Sequence, residues 1–104
     1  EMITQTHAML GQPHSALVYA RQALEIYSAL GDSIGQGNMH HSMAEMQRQL
    51  GDMAEATRSA EKSLRFFRAA GSKWGEEQAL QAISGLLVAR GQPEKAPKRG
   101  EAQR

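Results

Sequence analysis

The chain predicts an all-α fold, an α-solenoid of about two and a half antiparallel helical hairpins. Three observations predict it. First, the sequence nearly repeats itself every 40 residues: Gly11, Gly51 and Gly91 align, as do Ala16, Ala56 and Ala96. The same shift places Ala20 on Ala60, Leu24 on Leu64, Ala29 on Ala69, Gly31 on Gly71 and Gly35 on Gly75. Conservative pairs fill the gaps, namely Ile26 with Phe66, Tyr27 with Phe67, Ile34 with Trp74 and Met43 with Ile83. A period of this size marks units that bury their apolar faces only by stacking. Second, Gly11, Gly31, Gly51, Gly71 and Gly91 fall every 20 residues, half the repeat. Third, apolar residues recur at helical spacing between those glycines, and no stretch alternates like a strand.

A first helix is predicted over residues 2–10 and a second over 13–30, where Pro13 suits the first helical position. The stripe of the second is Pro13, Ala16, Leu17, Ala20, Ala23, Leu24, Tyr27 and Leu30. Met39, Met43, Met46 and Leu50 mark a third helix over 33–50, opened by Ser33 with Gln36 in capping-box spacing. The six methionines of the chain include these stripe positions, which argues for core filling rather than an adaptable binding surface. Ala56, Ala60, Leu64, Phe67 and Ala70 mark a fourth helix over 53–70, opened by Asp52 and Glu55 as a capping box. Phe66 and Phe67 are adjacent and cannot both face one way. The fifth helix, 73–90, carries Ala79, Leu80, Ile83, Leu86 and Leu87 and is capped by Ser72. A short sixth begins near Pro93 and is cut off by Pro97. The repeat domain therefore spans 1–96, and residues 97–104 are expected to be a disordered tail.

Composition narrows the function classes. An apolar content of 40%, joined by ten glycines, is enough for a folded chain with a thin, elongated core. The net charge of +1 does not commit the chain to nucleic acid or to an anionic membrane. Cysteine is absent, which excludes disulfides, zinc–thiolate sites and thiol catalysis and fits a reducing, cytoplasmic setting. No apolar run approaches the ~20 residues that span a bilayer. The opening at Glu1, in mid-pattern, points to a piece of a longer protein without a signal peptide.

Catalytic constellations do not stand out. There is no Ser/His/Asp order, no paired catalytic carboxylates and no phosphate loop, since Gly35, Gly37 and Gly75 lack the following Lys-Ser/Thr. Those glycines read instead as sites of close backbone approach between helices. His41 and Glu45 have the i, i+4 spacing of two metal ligands, but nothing completes a set of three or four. His40, about 100° round the helix from His41, reads as a core residue. Arg58, Lys62, Arg65 and Arg68, with Lys73, form a basic strip in which Glu61 sits at pairing distance from Arg58 and Arg65. No surface aromatics interleave with it, so it reads as a solvated helix face rather than a nucleic-acid site. No enzyme activity, metal or cofactor is expected.

The stretch Gly51-Asp52-Met53-Ala54-Glu55-Ala56, followed by Ala60, Ser63 and Leu64, resembles the second-helix signature of tetratricopeptide repeats. Gly11-Gln12-Pro13-His14-Ser15-Ala16, followed by Ala20, Ala23 and Leu24, repeats it. Where the family carries Leu-Gly in the first helix, this chain has Met43-Ala44 and Ile83-Ser84. The common family repeat is 34 residues long, whereas the period here is 40, which is similar to the repeats of kinesin light chains and of the Leu-Gly-Asn-repeat adaptors. Ala29-Leu30-Gly31-Asp32, running to Gly35, looks most like these.

The resemblance implies a protein-interaction module in which the first helix of each pair lines a concave groove for a peptide. Carried over by register, the groove residues are Asn38, His41, Ser42, Glu45 and Arg48 or Gln49 on one helix. On the next they are Gln78, Gln81, Ala82, Gly85 and Ala89. A clamp for a C-terminal carboxylate is not expected, because His41, Glu45 and Gln81 stand where such members carry Lys, Asn and Arg. The rival expectation is a structural spacer whose open ends stack on further repeats or on a second copy.

Overall fold

A computed structural model describes residues 13–91. These form four helices: α1 Pro13–Leu30, α2 Ser33–Gln49, α3 Met53–Ala70 and α4 Lys73–Ala89. The described part is 88% helical and contains no strand. The expected helix 2–10, the short sixth helix near Pro93 and the tail 97–104 lie outside the described residues.

Every joint is built the same way. Gly31, Gly51, Gly71 and Gly91 all have positive φ, between 68° and 81°. This is the left-handed C′ conformation that a side chain with a Cβ disfavours. At the first joint Gly31 N–H donates to Ser28 O and Asp32 N–H to Tyr27 O, at 3.1 and 3.0 Å. Gly51 with Asp52 and Gly71 with Ser72 repeat that double bond onto the preceding helix. The second joint residue then caps the next helix. Asp32 accepts from Gly35 N–H at 2.9 Å, Asp52 from Glu55 N–H at 3.4 Å and Ser72 from Gly75 N–H at 3.1 Å.

Two expectations are corrected here. The cap of α2 is Asp32, not Ser33, because the carboxylate reaches Gly35 N–H from one residue earlier. The box of Asp52 and Glu55 closes on one side only. Asp52 N–H is already donated to Gln47 O at 2.9 Å, and the Glu55 carboxylate pairs with Arg58.

Consecutive helices pack on one another across joints of two or three residues, and α2 also meets α4. The extents of 38 × 32 × 17 Å make a slab about two helices thick. One apolar cluster joins Ala44 of α2, Ala56 and Ala60 of α3, and Ile83, Leu86 and Leu87 of α4. A second joins Leu17 and Ala20 of α1 to Met43 of α2. Alanines hold the tightest positions, with Ala16, Ala56, Ala60 and Ala79 fully buried. Leu30 and Ala70, by contrast, end their stripes in solvent, with Leu30 72% exposed. Each occupies the last residue of a helix, beyond the reach of the neighbouring element.

The sequence period is also a period of structure. Tyr27 packs its ring over Gly35, and one repeat later Phe67 packs over Gly75. Phe67 is enclosed on its other side by Gly37, whose absent Cβ would lie 2.9 Å from the ring. The three glycines therefore seat aromatic rings rather than neighbouring backbones, which corrects the expectation for them. Phe67 is 2% exposed; burying such a side chain contributes about 1.5–3 kcal/mol. Phe66 is half-buried and stacks on His40.

Buried polar groups tie the helices together. Gln47 bonds Ser59 Oγ at 2.6 Å. Turned to satisfy the nearby carbonyls, its amide nitrogen also donates to Glu55 O and Met43 O. Arg68 pairs with the buried Glu76 at 3.2 Å, fixing α3 to the first turn of α4.

Candidate functional site

The period sets α2 and α4 as equivalent helices, and α3 runs between them in the chain. Where α2 and α4 face each other they leave a cleft of about 80 Å³. Its floor and far wall are apolar, made by Ala44 of α2 with Ala82 and Leu86 of α4. Its lip is polar, made by His41, Glu45 and Arg48 on consecutive turns of α2. The cleft exists because small side chains stand where α4 approaches: Ala44 and Ala82 fill little of the space between the two backbones.

Glu45 and Arg48 form an ion pair on the lip, each about half exposed. The hydrogen bond and charge of Glu45 raise the pKa of the Arg48 guanidinium. An exposed i, i+3 pair of this kind adds little stability. It presents one charge of each sign beside an apolar floor. His41 is half-buried, and its Nδ1 is enclosed without a hydrogen-bond partner.

Of the residues carried over from the family register, His41 and Glu45 line this cleft, and so do Arg48 and Ala82. Asn38, Gln49 and Gln81 are exposed, while Ser42 and Gln78 are half-buried; none of these five lines it. Gly85 is exposed, and a Cβ there would meet nothing within 4 Å. Leu86 belongs to the apolar stripe of its helix, and the structure adds it, with Ala44, to the walls of the cleft. The signal for Ala44 was its place beside Met43, where the family carries a small residue.

Other surfaces offer less. On α1, Val18, Arg21, Gln22 and Glu25 border a shallow depression of about 210 Å³, but all four come from one helix and nothing faces them across it. The basic strip of α3 is exposed, and Arg58 pairs with Glu55 at 2.9 Å rather than with Glu61. Arg68 is engaged by Glu76. Among the described residues no group of three or more His, Asp or Glu is placed to hold a metal ion. No helix among them is long and apolar enough to cross a membrane. Scans against protein-family models, curated proteins and solved structures find nothing that matches this chain.

Proposed function

We propose that this chain is a protein-interaction module, a solenoid of helical hairpins similar to tetratricopeptide repeats, whose inner face takes an extended segment of a partner protein. The observation that carries the proposal is the cleft between α2 and α4, the first helices of successive repeats. Its volume of about 80 Å³ is far below the ~300–1,000 Å³ of small-molecule sites. That room suits a single short aliphatic side chain. The polar lip beside it offers both signs of charge to a peptide backbone and its neighbouring side chains. None of the six lining residues is a serine, threonine, cysteine, lysine or tyrosine, so the cleft brings no nucleophile of those kinds to a ligand. Asn38, Ser42, Gln49, Gln78, Gln81 and Gly85 extend the same face in the family register.

A random peptide library displayed on phage and selected on the full chain tests this reading. Selected peptides are expected to lose at least about tenfold in affinity when Ala82→Phe fills the cleft, a loss of about 1.4 kcal/mol. Asn38→Ala combined with Gln78→Ala should weaken them further along the same face. The outward control, Arg58→Ala with Lys62→Ala, should leave them unchanged, with circular dichroism confirming the fold of each variant. Loss confined to the control would move the site to the exposed face of α3. Failure to select any peptide would favour the structural-spacer reading.

A further inference from the structure

His40 lies on the face of α2 that packs against α3, and it is 7% exposed. Its ring stacks on Phe66 of α3, with centroids 5.4 Å apart and planes 7° from parallel. Its Nδ1 is buried and has no hydrogen-bond partner. The charged groups of α3 that act on it are Lys62 and Arg65, both cations. One turn away on α2 itself stand Gln36, Gly37, Met43 and Ala44, none of them acidic. One period later the same position is Leu80, 3% exposed. The architecture thus asks only for an apolar filler here, and in this repeat the filler is a group that can take up a proton.

We propose that His40 is an acid-sensitive latch on the α2–α3 interface. Neutral, the imidazole packs on Phe66 as an aromatic ring. Protonated, it places a cation in the interface beside two others, and the charged groups that act on it include no carboxylate to receive its new N–H. Acid therefore loosens α2 from α3, and α2 carries the His41, Glu45 and Arg48 lip of the cleft. Burial first, and then Lys62 and Arg65, hold the His40 pKa below the ordinary 6.5. The unfolded chain thus binds the proton at higher pH than the folded one does. The stabilisation is complete above pH 6.5 and is lost as pH falls from there through the folded value.

Urea unfolding of the full chain at pH 7.5 and 5.5, with and without His40→Leu, tests the latch. The leucine variant is expected to fold, because Leu80 fills the equivalent place. The wild-type folding equilibrium constant should fall more than that of the variant over this interval. The excess can reach about tenfold, the limit for a histidine that titrates near 6.5 only when unfolded. Lys62→Glu with Arg65→Glu should shrink the excess by supplying acceptors for the proton's charge. Equal pH dependence of wild type and His40→Leu would overturn the proposal. Should the leucine variant not fold, NMR titration of the histidine Hε1 signals in the wild type decides, and a His40 midpoint at or above 6.5 overturns it.

Discussion

Phe67 shows how single atoms set this packing. The ring fits between Gly37 and Gly75 because neither carries a Cβ. Alanine normally favours a helix over glycine by about 1 kcal/mol. At Gly75 that preference loses, because the added methyl would fall within the space of the Phe67 ring. The ring is 2% exposed and has no solvent side to swing toward. Gly75→Ala is expected to destabilise by about 1–3 kcal/mol, the usual cost of overpacking a core. Gly85→Ala is the matched comparison on the same helix. Its new methyl meets nothing within 4 Å, so it should stabilise by up to about 1 kcal/mol. Opposite shifts in the midpoint of thermal unfolding, followed by circular dichroism, are the expected result. A rise in both would mean that the ring seat is loose.

At the scale of the element, helix boundaries follow from local chemistry. Sequence placed all four described helices within one residue of their observed ends, because a C′ glycine and a capping side chain bracket each joint. The caps themselves were less legible. Ser33 and Asp32 are both good capping residues, and which one turns back depends on the backbone: Asp32 is extended, at φ −88° and ψ 94°, while Ser33 is already helical. The Asp52 box was legible in composition but not in bonding, since the preceding helix claims its N–H. Ser72 offers the clean test of a cap. Its hydroxyl accepts from Gly75 N–H at 3.1 Å, and Ser72→Ala should cost about 0.5–2 kcal/mol. Chemical denaturation reads this, and no change would mean that water replaces the bond without loss.

Across the whole molecule, α2 is the helix on which the rest depends. It contributes Met43 to the cluster shared with α1 and Ala44 to the cluster shared with α3 and α4. Ala56 sits fully buried in the cluster that holds Ala44, where three helices converge. Ala56→Leu is expected to force them apart at a cost of about 1–3 kcal/mol. The melting temperature should fall while the helical signal of the folded state is kept. An unchanged melting temperature would require a void beside Ala56. The site was only partly legible in the sequence. Register placed His41, Glu45, Arg48 and Ala82 on the inner face, and these line the cleft. Asn38, Gln49 and Gln81 share that register but stand in solvent, outside the cleft between α2 and α4. Residue spacing along one helix carries no information about where a second helix comes nearest.

The short joints bind in both directions along the chain. Asp32, Asp52 and Ser72 each donate their own N–H backward, to Tyr27, Gln47 and Phe67, and accept forward through the side chain. A residue bonded to both neighbours in this way leaves no hinge. Deformation of the slab must then be shared among its helices, as in a stiff spring, and not concentrated at a loop. A segment bound as proposed would therefore meet helices already tied to one another. Little of its binding free energy would then be lost to ordering the protein.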